Sequence, residues 1–338
     1  MEALMITTLT ATTTERIVSA LVEEEGVSGG SHVLTLIIDT DTAGLEDALA
    51  AAHGASRDHP CRIIAVVRPD TENDDVNDAA TGPRSRDGHV PSDLPGHLDA
   101  EIRVGHDAGA GETLVLRPWG EAAEHVDTLV VPLLLPDVPV VTWWPTAPPD
   151  RPSTDPLGKL ASTRITNTPA LSDPVMALKA LAPSFTRGDI DLAWTRITLW
   201  RAMVASTLDP VLRDGTARGI VVAGEPGNAS IALMIRWLAL RTGVAIEQID
   251  DPGFSGIASI TVSTLTGDIV IARMDQERAT ITRPGGEAPQ VVTMPRREPI
   301  TTMNEELRRL TPDLVFEEVL ASFAAECCTS HAPDRTGS

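Results

Sequence analysis

The segment Gly224–Ser230 has the composition of a loop that could bind a phosphate. It reads Gly-Glu-Pro-Gly-Asn-Ala-Ser, follows a predicted strand and opens a predicted helix. At such a junction, backbone N–H groups and the helix dipole point toward one anion, such as a sugar phosphate. The same residues also fit a tight turn in which Asn228 or Ser230 caps the helix. The candidate anion-binding residues are Gly224, Glu225, Gly227, Asn228 and Ser230.

Tryptophan and arginine cluster in two short segments, although the chain has only six tryptophans. Trp143 and Trp144 end an apolar strand, where neighbours face opposite sides, so we expect one ring in the core and the other pointing outward. Farther along, Arg196 and Trp200 are an i,i+4 pair on a predicted helix and can stack. Because Trp and Arg are enriched at binding hot spots, the candidate partner-binding residues are Trp143, Trp144, Trp194, Arg196, Trp200 and Arg201. Alternatively, the tryptophan rings plug the junction between domains.

The three cysteines exclude a disulfide framework and a four-cysteine zinc site. Cys327 and Cys328 are adjacent, so they could form a strained, reducible disulfide or remain two inert thiols. The histidines are scattered, and only His53 and His59 lie close together in sequence. Since two histidines are too few for a metal ion, we predict no metal site.

The common catalytic motifs are missing from the sequence: HExxH, GxSxG, the Walker A loop and CxxC. Gly109-Ala110-Gly111 begins like a dinucleotide-binding fingerprint, but it lacks the third glycine and lies in a predicted hairpin turn. We therefore predict no catalytic residue and no cofactor.

The composition limits the possible partners. The 338 residues carry 27 basic and 48 acidic side chains, a formal net charge of −21. Such a balance argues against binding nucleic acid or an anionic membrane surface. No signal peptide or membrane span is recognisable, so we expect a cytoplasmic globular protein. Only two basic residues are lysines, which suggests a GC-rich genome.

Alternating apolar runs and helical patterns predict two α/β domains, each a βαβ unit plus an antiparallel meander in a mixed sheet, joined by a helical segment. In the first half we predict helices at 12–25 and 45–55, and strands at 33–39, 62–67, 98–104, 113–116, 128–135 and 138–143. In the second half we predict helices within 157–181 and at 191–208, 230–242, 303–310 and 314–326, and strands at 219–223, 244–249, 257–263, 268–272, 279–281 and 290–294.

Composition shifts suggest where the domains begin and end. Residues 70–97 are acidic and contain few large aliphatic side chains, which predicts a disordered insertion. A stretch rich in Pro and Asp at 150–156 reads as a linker. The expected division is an N-terminal domain at 1–150, a linker and helical segment at 151–215, a C-terminal domain at 216–326 and a flexible tail at 327–338.

Several long segments resemble the glucose-6-phosphate dehydrogenase assembly protein family, called OpcA. The resemblance runs in order from about residue 12 to about residue 320, without the acidic insertion or the tail. The segments that carry it are TLVVPLLLPDVPVVTWWP at 128–145, DPLG at 155–158, DLAWTRITLWR at 191–201, GEPG at 224–227 and EELRRL at 305–310.

The resemblance implies an accessory protein rather than an enzyme. Members are associated with the assembly or allosteric activation of glucose-6-phosphate dehydrogenase, which makes NADPH at the entry of the oxidative pentose phosphate pathway. The implied partner is therefore that dehydrogenase. Cyanobacterial members are linked to redox control through cysteines, which we do not place on the cysteines of this chain. The scarcity of lysine is closer to an actinobacterial member.

Overall fold

The computed structural model describes residues 5–25, 32–69, 96–104, 111–213, 216–286 and 288–329. The chain forms two compact units, with unit 1 comprising Met1–Asn167 and Pro299–Pro312, and unit 2 comprising Thr168–Glu298 and Asp313–Ser338. Unit 1 includes the stretch at 150–156 that was expected to be a linker. The predicted disordered insertion lies outside the described residues from 70 to 95, as does the predicted tail from 330 onward.

The helices and strands follow in chain order. Those of the first half are β1 (Met5–Leu9), α1 (Thr14–Glu25), β2 (Leu34–Asp41), α2 (Leu45–Ser56), β3 (Cys61–Arg68), β4 (His97–Val104), β5 (Thr113–Trp119), α3 (Glu121–Glu124), α4 (Val126–Val130), β6 (Val140–Trp144) and β7 (Thr163–Thr166). Those of the second half are α5 (Pro174–Leu181), β8 (Asp189–Asp191), α6 (Leu192–Arg196), α7 (Thr198–Arg213), β9 (Ala217–Gly224), α8 (Ala229–Thr242), β10 (Ile246–Asp250), β11 (Ile257–Thr264), β12 (Gly267–Arg273), β13 (Arg278–Thr282), β14 (Gln290–Thr293), α9 (Pro299–Arg309) and α10 (Leu314–Thr329).

The sheet of unit 1 is mixed, as the sequence predicted. Its strands lie in the order β1-β4-β5-β3-β2-β6-β7. From β5 to β7 every neighbouring pair is parallel, whereas β1, β4 and β5 are antiparallel. Strands β2 and β3 are buried along nearly their whole length. Their continuous apolar sequences are typical of parallel strands that are covered on both faces.

The strand predicted at 128–135 is wrong. This segment is helical in α4 and continues as a 3-10 turn over Val131–Leu133. The buried side chains of Val126, Val130 and Leu133 recur at helical spacing rather than alternating. Pro132 lies in the first turn of the 3-10 segment, where its missing N–H leaves no hydrogen bond unmade. A continuous apolar run of this length fits either a helix or a buried strand, so the run by itself does not distinguish the two.

Strand β7 was not predicted, because its four residues fall within a region expected to be helical. It reads Thr-Arg-Ile-Thr and pairs in parallel with β6. A four-residue segment is too short to show a strand pattern, so its pairing with β6 defines it. Helix α5 follows as expected, and its first turn is capped by the side chain of Asp173.

Unit 2 contains the second predicted βαβ unit and the predicted meander. Its sheet has the order β10-β9-β11-β12-β13-β14, with β10 and β9 parallel and every other neighbouring pair antiparallel. One face is buried and carries Ile220, Val222, Ile260, Val262 and Ile271. The alternate residues are half-exposed or exposed, which is the period of two that the sequence displays.

None of the helices in the described ranges combines the length and the apolar character that crossing a bilayer requires.

A buried ionic group in unit 1 should make the stability of the protein depend on pH. Arg62 contacts the Glu112 carboxylate, which also lies 3.3 Å from His32 Nε2. Burial opposes ionisation of Glu112, but the His32 hydrogen bond and the Arg62 charge outweigh it and lower the pKa of Glu112 below its usual 4.5. The resulting stabilisation is complete above pH 4.5 and is lost as the pH falls through the lower pKa of the folded state.

We expect Glu112→Gln to lower the free energy of unfolding at pH 7 by about 1.5–3 kcal/mol, because a charge-assisted hydrogen bond is weakened. The difference from the parent chain should shrink as the pH falls below about 4.5. Urea denaturation between pH 7 and pH 3 measures both effects. Glu318→Gln, in an exposed pair with Arg241, is the control and should change stability by less than about 1 kcal/mol. A constant difference across the pH range would contradict the assignment.

Candidate functional site

A cavity in unit 1 lies at the carboxyl ends of three parallel strands. It has a volume of about 220 Å³. Strand β2 is flanked by β3 on one side and by β6 on the other, and the chain leaves β2 through α2 to reach β3. In α/β sheets, ligands bind at such a reversal of strand order, outside the carboxyl ends of the strands. We call it the switch-point cavity; it is lined by Asp39, Thr40, Asp41, Arg68, Trp144, Thr146, Ala147, Pro149 and Asp155.

Asp39 is the centre of the buried polar network in the switch-point cavity. Arg68 approaches it in a bidentate manner, with Nε 2.7 Å from Oδ1 and Nη2 2.8 Å from Oδ2. The Trp144 indole N–H donates to Oδ2 at 3.2 Å. The hydrogen bond to Asp39 raises the pKa of Arg68, so the guanidinium stays charged. These residues belong to β2, β3 and β6, so their hydrogen bonds link the ends of three strands.

Two further carboxylates line the cavity, that of Asp41 at the end of β2 and that of Asp155 in a loop. Asp41 Oδ1 accepts the backbone N–H of Gly44 at 2.6 Å. Asp155 Oδ1 accepts the N–H groups of Leu157 and Gly158 at 2.9 and 3.2 Å. Burial raises the pKa of Asp155, and the nearby charge of Asp39 adds to the rise. Both side chains use one oxygen to hold a turn.

Two threonine hydroxyls in the cavity wall are buried without a hydrogen-bond partner among the described residues. They are Oγ1 of Thr40 and Oγ1 of Thr146. Thr40 is only 3% exposed. Both lie beside Gly44, where an added Cβ would be 2.8 Å from Thr40 Oγ1 and 2.6 Å from Thr146 Cγ2. Both oxygens have almost no accessible surface, so they lie behind the surface of the cavity rather than facing its interior.

The chemistry of this wall suits binding. Its described residues offer carboxylates, hydroxyls, a guanidinium and an indole, with neither histidine nor cysteine among them. Asp39 is held by Arg68 and is poorly placed to move a proton. Within the described ranges, no group of three or more His, Cys, Asp or Glu side chains could hold a metal ion.

The switch-point cavity was missed by the sequence reasoning, although a signal was present. The segment Asp-Thr-Asp-Thr-Ala-Gly at 39–44 directly follows the apolar run of β2. Polar residues at the carboxyl end of a buried parallel strand are the expected position of a binding site. Arg68, Trp144 and Asp155 are far away in sequence, so only the sheet brings them to this point.

The candidate anion-binding loop is a capped turn. Asn228 Oδ1 accepts the N–H groups of Ser230 and Ile231, so these donors of the first turn of α8 are satisfied. The Glu225 carboxylate accepts from the Asn228 side chain and from the Gly256 N–H. Gly224 and Gly227 permit the close approach to Gly256 and a positive φ of 70°. The N-cap that the sequence offered as an alternative is confirmed, and a carboxylate beside it repels phosphate.

The expectation that one ring of the Trp143-Trp144 pair points outward is wrong. Trp143 is 3% exposed and Trp144 is 1% exposed. Strand β6 is paired on both sides within the sheet, and both faces of this strand are covered. Trp144 thus belongs to the wall of the switch-point cavity rather than to an exposed surface.

The second Trp and Arg cluster lies in unit 2. The helix predicted at 191–208 is interrupted at Ile197, between α6 and α7. Trp194 is buried, and it is Arg201 that stacks on it, with the guanidinium carbon 3.6 Å from the ring centroid. Trp200 is also buried and has Arg273 at 5.6 Å. Among the described residues, the arginine contacts of these two rings come from Arg201 and Arg273 instead of the predicted Arg196–Trp200 pair.

Arg196 itself lies close to the capped loop. Its electrostatic neighbours are Asp191, Glu298 and Glu225, and its Nε is buried without a hydrogen-bond partner in the described part of the chain. Burial lowers the pKa of Arg196. Arg196 belongs to the candidate partner-binding residues and Glu225 to the candidate anion-binding residues, and the structure brings these two side chains together.

Of the three cysteine side chains, the described part of the chain includes that of Cys61. Cys61 is buried in β3, and burial raises the pKa of its thiol to about 12, so the thiol stays protonated. Cys327 and Cys328 fall within α10. Their side chains lie outside the described part of the chain, and the predicted redox role stays a prediction.

Two family models match the chain, one after the other. The model described as the glucose-6-phosphate dehydrogenase subunit N-terminal domain covers residues 52–183. The model described as the C-terminal domain of the same subunit covers residues 187–320. Together these ranges span more than half of the chain.

Two cyanobacterial proteins named OxPP cycle protein OpcA are similar in sequence. The one from Synechocystis sp. is 26% identical over 210 residues, which cover 60% of this chain and 40% of that protein. The one from Synechococcus elongatus is 30% identical over 139 residues, which cover 39% of this chain and 31% of that protein. The chain thus spans less than half the length of either relative.

Solved structures with a similar arrangement are more distant. An oxidoreductase from Sinorhizobium meliloti is 11% identical with a TM-score of 0.45, over 89% of this chain and 97% of that chain. Biliverdin reductase from Synechocystis sp. is 9% identical with a TM-score of 0.43, over 88% and 98%. Similarity at this level carries no argument about activity.

Proposed function

Because the chain belongs to the OpcA family of glucose-6-phosphate dehydrogenase subunits, we propose that it is a non-catalytic accessory protein of that dehydrogenase. In this role it assembles or allosterically activates the enzyme in the oxidative pentose phosphate pathway. The observation that carries the proposal is the match of both domain models, in order, from residue 52 to residue 320.

Activation of this kind has a thermodynamic requirement. An accessory protein raises activity only if it binds the active form of the enzyme more tightly than the inactive form. A tenfold rise needs a difference of at least about 1.4 kcal/mol between the two affinities. That difference is small beside the free energy of a stable complex, so a few well-placed contacts suffice.

The test is an assay of NADP⁺ reduction with glucose 6-phosphate. The activity of purified glucose-6-phosphate dehydrogenase from the same organism is measured without this chain and with increasing amounts of it. The activity of this chain alone is the control. We expect a rise that saturates with chain concentration and occurs only in the mixture. Sedimentation velocity on the same mixture should show a complex. A mixture with unchanged activity and no complex, from folded samples, would overturn the proposal.

The alternative is a sugar-phosphate enzyme or a metabolite sensor that uses the 224–230 loop. It has less support, because Asn228 already satisfies two N–H groups of that loop and Glu225 places a negative charge there. Hydrolysis of 6-phosphogluconolactone by the chain alone would favour this alternative over the accessory role.

Arg196 is the residue of the candidate partner-binding set that we expect to contact the dehydrogenase. It is half-buried, so the accessible part of its side chain can contact an acidic group of a partner. Trp194 and Trp200 of the same set are buried within unit 2, and Trp143 and Trp144 are buried within unit 1. Arg201 is committed to stacking on Trp194.

We expect Arg196→Gln to weaken activation at least about fivefold, since truncating a hot-spot residue costs more than about 1 kcal/mol of binding. The effect should appear as a higher chain concentration for half-maximal activation. Arg241→Gln is the matched control, because Arg241 is an exposed arginine whose ion pair among the described residues is with Glu318. Equal activation by both variants, with unchanged unfolding midpoints, would remove Arg196 from the interface.

A further inference from the structure

We propose that the sheet of unit 2 packs face to face against the same sheet of a second copy of the chain, so that the protein forms a two-fold symmetric dimer. The proposal concerns the isolated chain and is independent of the accessory role. It rests on the uncovered face of this sheet, on the order of the side chains across that face, and on the charge and area of the face.

Two helices pack against the buried face of this sheet. Gly224 continues the buried side of β9, and a Cβ at this position would lie 2.8 Å from Ile231 of α8. Arg273 is on the same side of β12 as the buried Ile271, and its guanidinium carbon lies 5.6 Å from the ring centroid of Trp200 in α7. Because side chains alternate along a strand, the residues between these positions point away from both helices.

The opposite side of the sheet, which we call the open face, carries two rows of side chains that cross the strands. The pairing register gives the first row as Ile249, Ala223, Ser259, Ala272, Thr280 and Val291. The second row contains Val221, Thr261, Val270 and Thr282. Every member of both rows is partly or fully exposed, so the described part of the chain leaves this face uncovered.

The two rows of the open face are uncharged, although the whole chain has a formal net charge of −21. They contain only aliphatic, serine and threonine side chains. Charged side chains on this side of the sheet lie at its margin, where Glu247 pairs beside Val221 and Asp268 pairs beside Ser263. Two copies of an acidic chain repel each other over most of their surfaces. An uncharged centre with a polar margin is the kind of surface on which they can still associate.

The order of the side chains makes the open face complementary to itself. The first row has a large aliphatic residue at each edge of the sheet, Ile249 and Val291, and four small residues between them. A two-fold axis that runs along the strands between β11 and β12 places β10 opposite β14 of the second copy. Ile249, 48% exposed in the single chain, then packs against Val291, 53% exposed, and the small residues let the two sheets come close together.

The area of the open face is sufficient for a dimer. The usual spacing and rise of β-strands give a face about 29 Å wide across the six strands and about 20 Å long. Covering this face on both copies buries roughly 1,200 Å² of surface, which reaches the range of specific, stable interfaces. The estimate is at the lower end of that range, so we expect a dimer that dissociates on dilution.

The first experiment measures the oligomeric state of the purified full chain by sedimentation equilibrium between about 1 and 100 μM, because mass action favours the dimer at high concentration. Thr261→Arg changes the middle of the second row and should raise the Kd of the dimer at least about a hundredfold, since the dimer would bury two unpaired charges. Gln248→Arg is the matched control. Gln248 is exposed on β10 between two residues of the open side, but it points to the other side of the sheet, so this variant should dimerise like the parent chain.

The second experiment tests the orientation of the two copies with charges at the edges of the sheet. One double variant combines Ile249→Lys with Val291→Glu, and the other combines Ile249→Lys with Val291→Lys. Within one chain these positions lie about 24 Å apart on opposite edge strands, so their charges can meet only between copies. At low salt we expect the variant with opposite charges to have a dimer Kd at least about fivefold lower than the variant with like charges. The difference should shrink at high salt.

Three results would overturn the proposal: a parent chain that stays monomeric at every concentration, a dimer that folded Thr261→Arg leaves intact, or equal dimer affinities of the two double variants. A monomeric chain whose complex with the dehydrogenase is lost in Thr261→Arg would assign the open face to the dehydrogenase instead. Because the sedimentation samples of the chain alone contain no dehydrogenase, a failed activation assay would leave the dimer unaffected.

Discussion

Replacing Trp194 with alanine is expected to lower the free energy of unfolding by about 3–5 kcal/mol, the range for removing a large buried aromatic side chain. Trp194 is 1% exposed and lies 5.7 Å from Phe316, centroid to centroid. Its indole N–H donates to Asp313 at 2.9 Å, and the Arg201 guanidinium stacks over its ring. Alanine would leave a cavity in unit 2 and remove the surface on which Arg201 stacks.

Urea denaturation of the full chain measures this effect. Trp194→Phe keeps most of the packing and loses the hydrogen bond to Asp313, so it should be destabilised by only about 1.5–3 kcal/mol. A Trp194→Ala variant as stable as the Phe variant would show that the ring does not pack as described. Because Arg196 follows Trp194 closely in α6, the Ala variant should also activate the dehydrogenase less well.

Gly158→Ala is expected to destabilise unit 1 by about 3 kcal/mol, at the upper end of the range for overpacking. A Cβ at this position would lie 1.8 Å from the carbonyl oxygen of Pro152 and 3.2 Å from the Trp144 ring. The first obstacle is backbone, which cannot move aside as a flexible side chain can. Relief of the clash would shift the turn held by Asp155 and, with it, the wall of the switch-point cavity.

Gly253→Ala is the matched control, because a Cβ there meets only Asp251 Oδ1 at an ordinary 3.5 Å. It should leave the free energy of unfolding within about 0.5 kcal/mol of the parent. If the Gly158 variant were equally stable, the close approach to Pro152 would be wrong.

The two candidate binding regions differ in how far the sequence predicts them. The residues of loop 224–230 are consecutive, so the sequence alone identifies them as a candidate site. The role of the loop as a helix cap follows from local hydrogen bonds. Asp39, Arg68, Trp144 and Asp155 form the switch-point cavity from four separate segments. These four residues lie together because of the order of the strands in the sheet, and the composition of a single segment does not predict that order.

The amino-acid sequence by itself determined the class of fold, both βαβ units, the meander of unit 2 and the family. Each of these depends on local periodicity or on a run of consecutive residues, so each is visible within one segment. Tertiary structure alone decided that residues 126–133 are helical, that 163–166 form a strand, that both Trp143 and Trp144 are buried, and that Arg201 stacks on Trp194. The physical reason is that burial and pairing depend on what packs against a segment, and a short apolar run is compatible with both a helix and a buried strand.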